Sequence, residues 1–118
     1  MRPPHNPKRA RLLEEVRQRV AAGDHSLVIL DVRERDACDA GHVPGARHLP
    51  GGQLELRVER DLPDPTAHVL ACCELGKIST LAAGTLRAMG CPRAVALDGG
   101  FKAWREAGHP LEFTAAGG

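Results

Sequence analysis

The sequence predicts a single α/β domain: a small parallel sheet of four to five strands with helices on both faces. Apolar segments at residues 27–30 and 68–72 run without alternation, which is typical of strands buried on both faces. Segments with helical periodicity separate these strands, and strands that alternate with helices form parallel sheets with right-handed crossovers. The length of 118 residues fits one domain with its own core.

The first half of the chain is expected to contain a helix, a buried strand and several short elements. Residues 1–6 should form a loose lead-in, with Asn6 capping a helix that begins at Pro7 and ends before Gly23. Leu12, Leu13, Val16 and Val20 recur at helical spacing along it. The elements expected next are a strand at 26–32, a short helix at 34–40, a turn at 41–46, a short strand at 47–49 and a weak helix at 51–60.

The second half repeats the strand-and-helix order. A buried strand at 68–72 leads into a loop at 73–77. The helix after the loop is predicted from apolar residues at helical spacing: Ile78, Leu81, Ala82, Leu86 and Met89. A strand at 94–97, a turn at 98–100 and a last helix at 101–107 follow. The domain then spans residues 7–113, with a frayed tail at 114–118.

Composition argues against several classes of function. The net charge of +1 gives no overall field that would attract nucleic acid or an acidic membrane. No apolar run is long enough for a transmembrane helix, and no secretion signal is recognisable. The four cysteines lack the paired spacing of a zinc site, so no metal is expected. Reduced thiols in the cytoplasm are the simplest interpretation of these cysteines.

Three segments should meet at one edge of the sheet. In open α/β sheets the functional site lies beyond the carboxyl ends of the strands. Residues 31–33, 73–77 and 98–100 each follow a predicted strand. The sequence therefore places the candidate site where these three segments converge.

Cys73 is the candidate nucleophile. It lies where a buried strand gives way to a short loop and a helix, so loop N–H groups and the helix N-terminus favour a thiolate there. Gly76 permits a tight loop, Lys77 adds a positive charge, and Ser79 can donate a hydroxyl hydrogen bond. The alternative is a buried, inert cysteine. Cys72, one residue earlier, should point to the opposite face of the sheet and pack there.

Three separate motifs resemble those of rhodanese-like domains. They are residues 30–33 with 41–46 and 49–50, then Cys73-Glu74-Leu75-Gly76 followed by Ser79, and finally residues 97–104 with 107–110. The resemblance covers residues 7–113. It implies a sulfurtransferase without a cofactor, in which Cys73 carries sulfur as a persulfide and residues 74–78 cradle that persulfide with backbone N–H groups. Thiosulfate or mercaptopyruvate would be the donor. Cyanide, a thiol or a sulfur-accepting protein would be the acceptor.

The loop departs from the family pattern at several positions. Ile78 stands where arginine is common, and Glu74 stands where a basic or small residue is usual. Ala37 and Cys38 replace the usual acid and aromatic residues of the first loop. Glu74 and Lys77 should nearly cancel, which makes the rim less attractive to a dianion such as thiosulfate. These departures leave the donor open.

Four further residues are candidates for supporting roles. Asp31 is expected to form a structural ion pair, and Arg33 either shares that pair or orients an anionic substrate. His42 is interpreted as a hydrogen-bonded turn residue rather than a general base. Gly99, with Gly100, should let the backbone approach the cysteine loop.

Two other classes of function compete with the sulfurtransferase. A cysteine phosphatase or arsenate reductase also cradles an oxyanion in such a loop. The phosphatase pattern, however, needs an arginine six positions after the cysteine, where this chain has Ser79. The other alternative is a non-catalytic module that binds a partner protein or relays a persulfide.

Overall fold

A computed structural model describes residues 6–62 and 64–114 of the chain. Its strands are β1 (Leu27–Asp31), β2 (Arg47–His48), β3 (His68–Cys72) and β4 (Ala94–Ala96). Its helices are α1 (Pro7–Ala21), α2 (Arg35–Asp39), α3 (Leu54–Asp61), α4 (Lys77–Ala88) and α5 (Gly100–Glu106), with a 3-10 turn at Gly51–Gln53. None of the described helices is long and apolar enough to cross a membrane. Most of the predicted lead-in and tail, residues 1–5 and 115–118, lies outside the described residues.

The four strands form one parallel sheet in the order β2-β1-β3-β4, which confirms the predicted fold class. Asp31 of β1 lies opposite Cys72 of β3. Beyond the strands, Val32 N–H donates to the Cys72 carbonyl at 2.9 Å, and Leu97 N–H donates to the Ala71 carbonyl at 2.8 Å. The carboxyl ends of β1, β3 and β4 therefore meet at one edge, as the sequence predicts.

Successive strand residues face two separate apolar clusters, and helices cover both. Leu30 and Ala71 face the cluster that contains residues of α3 and α4. Ile29 and Leu70 face the cluster that contains residues of α1 and α5, among them the fully buried Trp104. Neighbouring residues of a strand point to opposite faces of the sheet. A strand that is buried on both faces is therefore apolar at every position and shows no alternation of polar and apolar residues. This explains the unbroken apolar runs of β1 and β3.

Helix α1 begins and ends where its capping residues predict. The Asn6 side chain accepts a hydrogen bond from Arg9 N–H at 3.0 Å, and Pro7 occupies the first turn. Gly23 has a φ of +67°, a left-handed conformation that glycine adopts without strain. The helix packs through Leu13, which is 2% exposed, whereas Leu12 is 39% exposed.

Helix α4 forms as predicted, but its apolar residues do not all face the core. Ile78 and Leu81 are 61% and 74% exposed. The helix is buried instead through Ser79, Ala82, Ala83 and Leu86. Three of these four residues are small, which lets the helix lie close to the sheet, while Ile78 and Leu81 point outward. The exposed side of α4 is therefore unusually apolar.

A glycine pair joins β4 to α5 in close contact with the loop after β3. A Cβ atom at Gly100 would lie 2.6 Å from the carbonyl oxygens of both Cys73 and Glu74. The φ of Gly100 is +67°, so a side chain is excluded both by space and by backbone conformation. The close approach to the cysteine loop is thus made at Gly100. A Cβ atom at Gly99 would instead meet the side chains of Ala103 and Arg9, while the Gly99 backbone nitrogen lies near Gly76 of the loop.

We expect Gly100→Ala to lower the free energy of unfolding by at least about 3 kcal/mol, because it adds a backbone clash to the cost of a left-handed alanine. Gly108→Ala is the matched control, since Gly108 has a φ of +78° and open space around its Cα. Its loss should be about 1 kcal/mol. Urea unfolding of the two variants checks this. Equal losses of unfolding free energy in the two variants would mean that glycine is needed at position 100 only for its backbone conformation.

Candidate active site

Cys73 is the first residue after β3 and lies beneath its own loop, only 3% exposed. It belongs to the cluster under α3 and α4. Cys72 belongs to the cluster under α1 and α5, on the other face of the sheet. The two neighbouring thiols are therefore separated by the sheet, as the strand geometry predicts.

Three hydrogen-bonding groups surround the Cys73 sulfur. Gly76 N–H donates to Sγ at 3.1 Å, and Ser79 N–H donates to it at 3.3 Å. The Ser79 Oγ lies 3.3 Å from the sulfur and 3.1 Å from the Gly76 carbonyl oxygen. Since a hydroxyl can rotate, it accepts from the protonated thiol and donates to the thiolate. Gly76 precedes α4 with a φ of +100°, which turns its N–H inward.

These contacts make the thiol of Cys73 more acidic. Burial raises its pKa, but hydrogen bonds from the Ser79 hydroxyl and from the N–H groups of Ser79, Gly76 and Leu75 outweigh burial and leave the pKa below its usual value. Burial raises the pKa of the other three thiols: to about 11 in Cys38, and above the usual value in Cys72 and Cys91. Cys73 is thus the one cysteine whose surroundings favour a thiolate.

The start of α5 holds the cysteine loop in position. Phe101 N–H donates to the Cys73 carbonyl at 2.8 Å, and Lys102 N–H donates to the Glu74 carbonyl at 3.0 Å. With these two carbonyls bound on the side of α5, the following residues curl back over the sulfur. The sequence predicts the approach of the glycine pair to the loop, but it does not predict these two backbone hydrogen bonds.

Glu74 pairs with two arginines rather than balancing Lys77. Its carboxylate lies 3.1 Å from Arg105 Nη2 and 3.5 Å from Arg33 Nη1. Both guanidinium groups also lie over the Phe101 ring, at 4.3 Å for Arg33 and 5.3 Å for Arg105. The expectation that the charge of Glu74 offsets that of Lys77 at the rim is therefore wrong, because the Glu74 carboxylate is directed to the two arginines. No sequence signal pointed to Arg105, which is 31 residues away from Glu74.

Arg33 is committed to structural contacts. Its side chain is 8% exposed and forms a two-pronged ion pair with the buried Asp31, with the closest contact at 2.7 Å. The Nη2 atom also donates to the Gly41 carbonyl at 2.6 Å, and Nη1 faces Glu74. Each guanidinium nitrogen thus has a protein partner. Of the two roles left open for Arg33, the geometry supports the ion pair and not substrate orientation.

His42 lies in a turn that is tied to the end of the domain. Its Nδ1 is 2.8 Å from the Cys38 carbonyl oxygen, and its Nε2 is 3.4 Å from the Glu112 carboxylate. The backbones of His42 and Glu112 exchange two hydrogen bonds of 2.9 Å. These contacts fit the predicted turn role. Within residues 6–62 and 64–114, no three His, Cys, Asp or Glu side chains are grouped as metal ligands.

One loop residue and the first two residues of α4 form the mouth of the site. Leu75, Lys77 and Ile78 are all exposed, with Leu75 at 57% and Ile78 at 61%. Ser79 is completely buried beneath them. The loop therefore combines a polar interior around the sulfur with an outer surface of two aliphatic side chains and one cation.

The chain matches the family model of the rhodanese-like domain over residues 12–107. It is 40% identical over 91 residues to the thiosulfate sulfurtransferase GlpE of Pseudomonas putida, covering 76% of this chain and 78% of that protein. It is 33% identical over 92 residues to the putative sulfur carrier protein YrkF of Bacillus subtilis. That match covers 78% of this chain but 48% of YrkF, so the chain spans about half the length of that relative.

A solved structure has the same architecture. The crystal structure of the Alr3790 protein from Anabaena sp. matches with a TM-score of 0.79 at 27% sequence identity, covering 86% of this chain and 90% of that chain. The fold and the site define a small parallel α/β domain with a cysteine loop at the carboxyl edge of its sheet. The chain belongs to the rhodanese-like domain family.

We expect Cys73 to react with iodoacetamide faster than the other cysteines at pH 7. Because the pKa of Cys73 is lowered, its reaction rate should also begin to rise at a lower pH than that of an ordinary thiol. Ser79→Ala removes one stabilising hydrogen bond, so the rate at pH 7 should fall about three- to tenfold. Thr80→Ala is the control, since the Thr80 hydroxyl contacts the Gly76 carbonyl and not the sulfur. Peptide mapping of the labelled protein across pH measures both. Equal rates in the two variants would contradict this role of Ser79.

Proposed function

We propose that the protein is a sulfurtransferase in which Cys73 takes a sulfane sulfur from a donor, holds it as a persulfide and passes it to an acceptor. The observation that carries this proposal is the hydrogen-bonded, acidified sulfur of Cys73 at the carboxyl edge of the sheet. Membership in the rhodanese-like family and the similarity to GlpE support the reaction class. Cytoplasmic conditions would keep the cysteine reduced.

The first half-reaction requires a nucleophile that is ionised at neutral pH. The Cys73 thiolate attacks the outer sulfur of thiosulfate, the sulfur–sulfur bond of the donor breaks, and sulfite leaves with the bonding electron pair. The total charge of −3 is the same on both sides, since a thiolate and a dianion become a persulfide anion and a dianion. Gly76 N–H and Ser79 orient the attacking sulfur.

In the second half-reaction the same hydrogen bonds stabilise Cys73 as the leaving group. A thiolate or cyanide attacks the outer sulfur of the persulfide, and Cys73 leaves as a thiolate. Since the loop lowers the pKa of Cys73, it makes this sulfur a better leaving group as well as an available nucleophile. One set of donors therefore serves both steps without a cofactor.

A persulfide relay is the second candidate function. The outer surface of the loop carries Leu75 and Ile78, which bind a small dianion poorly. The relative YrkF is described as a putative sulfur carrier. In a relay, Cys73 would receive its sulfur from a protein and deliver it to another protein. A phosphatase lacks comparable support, because Ser79 occupies the position that the phosphate-binding arginine would take.

We expect the intact mass to rise by one sulfur atom after incubation with thiosulfate, and cyanide or dithiothreitol to reverse the gain. Cys73→Ala should abolish the gain, whereas Cys72→Ala should retain most of it, since Cys72 is buried on the other face. Mass spectrometry of the three proteins measures this. Loss of loading in Cys72→Ala with the fold intact, or no loading of the unchanged protein by any sulfane donor, would overturn the proposal.

Lys77 is the remaining charged side chain at the mouth, since Glu74 is paired with arginines. We expect Lys77→Ala to raise the KM for thiosulfate by up to about tenfold at low salt, with a smaller effect at high salt because the side chain is exposed. Lys102→Ala is the control, since Lys102 pairs with Glu106 along α5. Steady-state kinetics at two ionic strengths test this. An unchanged KM would mean that the backbone alone binds the donor.

A further inference from the structure

Arg9, in the first turn of α1, reaches the turn that joins β4 to α5. Its Nη2 lies 3.2 Å from the Asp98 carboxylate. A Cβ atom at Gly99 would lie 2.9 Å from the Arg9 Nε and 3.0 Å from its Cδ, so the arginine side chain lies directly against the glycine backbone. One side chain of α1 therefore contacts both residues that precede Gly100.

The same turn also lies against the cysteine loop. A Cβ atom at Gly76 would lie 3.8 Å from the backbone nitrogens of both Gly99 and Gly100. Gly76 in turn donates its N–H to the Cys73 sulfur at 3.1 Å. Three successive contacts thus join Arg9 to the reactive sulfur: the side chain with the turn, the turn with Gly76, and the Gly76 N–H with Sγ.

Stability does not explain where Arg9 is placed. Its Nε is buried but has no hydrogen-bond partner within the part of the chain that the structure describes, and an unpaired buried donor costs free energy. The side chains of Arg9 and Asp98 are 41% and 43% exposed, and such an ion pair adds little to the free energy of unfolding. What the contact does fix is the position of the turn.

The position of this turn matters because the residues after it hold the cysteine loop. Phe101 N–H and Lys102 N–H bind the carbonyls of Cys73 and Glu74. Movement of the turn would change the direction of both donors, and it would also free Gly76 from the backbone that it lies against. Hydrogen bonds weaken steeply as their alignment is lost, so the sulfur would be bound less well.

We propose that Arg9 is a positioning residue, which holds the turn at residues 98–100 against the cysteine loop and so keeps the Gly76 N–H directed at the Cys73 sulfur. Arg9 acts through the turn rather than by contact with the sulfur. It lies before residues 12–107, the segment that matches the family model. The inference deepens the proposed function and rests on it for the use that is made of the thiolate.

A purely electrostatic role for Arg9 makes a different prediction. A nearby cation favours a thiolate, and a nearby carboxylate disfavours it. If Arg9 and Asp98 acted only through their charges, loss of Arg9 would raise the pKa of Cys73 and loss of Asp98 would lower it. If the two side chains hold the turn together, loss of either one raises this pKa. The direction of the change in Asp98→Ala therefore distinguishes the two roles.

The test compares Arg9→Ala and Asp98→Ala with the unchanged protein. The rate at which iodoacetamide alkylates Cys73 is followed across pH by peptide mapping, which needs no sulfur donor. We expect the midpoint of the profile to move to higher pH in both variants, with the thiolate fraction below the midpoint falling about two- to fivefold. The combined variant should fall no further than the larger single effect, because both side chains act through one contact.

Arg17→Ala is the matched control, since Arg17 pairs with Glu14 along the same helix. It also removes one cation and one ion pair from α1, but it leaves the turn at residues 98–100 untouched. The pH profile of Cys73 should not change in this variant. Urea unfolding of all the variants checks that each is folded and that their losses of stability are similar.

The outcomes separate this inference from the proposed function. A lower pKa of Cys73 in Asp98→Ala, an unchanged midpoint in either test variant, or an equal change in Arg17→Ala would overturn the inference. Higher midpoints in both test variants, without sulfur loading of the unchanged protein from any donor, would support the positioning role and overturn the sulfurtransferase. Sulfur loading with unchanged midpoints would do the reverse.

Discussion

The contact between the start of α5 and the end of β3 determines the geometry of the whole site. Two N–H groups of α5 bind the carbonyls of Cys73 and Glu74, and Gly100 brings the two segments close enough for this contact. The first two loop residues are thereby fixed to the sheet edge. The rest of the loop then closes over the sulfur through Gly76 and enters α4. The glycine at position 100 is thus as important to the site as the residues that touch the sulfur.

A line of alternating charges explains why an acidic residue can follow the nucleophile. Buried Asp31 pairs with Arg33, Arg33 faces Glu74, and Glu74 also pairs with Arg105. A buried arginine without a partner would cost several kcal/mol, so Asp31 is needed wherever Arg33 is buried. Glu74 continues this network on the α5 side of the loop, while the sulfur is bound from the α4 side. Because Glu74 is already paired with these arginines, Lys77 remains as the charge at the mouth.

The sequence predicted the fold well because the fold depends on local patterns, and the same kind of pattern singled out Cys73 as the candidate nucleophile. Unbroken apolar runs indicated β1 and β3, Asn6 and Pro7 indicated the start of α1, and the strand-to-helix loop indicated Cys73. Helix α4 forms as predicted, yet Ile78 and Leu81, which match its apolar period, are exposed. Periodicity finds a helix that has an apolar side, but it cannot tell apolar residues that pack in the core from those that stay exposed. The sequence does not predict the ion-pair partners of Glu74, because Arg105 contacts it only after α5 has folded against the loop.

The register of β3 decides which of two adjacent cysteines is activated. Cys72 lies opposite Asp31 in the ladder, so its thiol is buried on the face of α1 and α5, near a carboxylate that disfavours ionisation. Cys73 comes one position later and turns to the other face, where N–H groups and a hydroxyl favour the thiolate. A slip of one residue would exchange these two environments, because side chains alternate across a strand. Both faces of β1 and β3 are apolar, so the close packing of differently shaped side chains in the two clusters, rather than alternation, opposes that slip. The packing of the core therefore determines which of the two thiols is acidified as well as the fold.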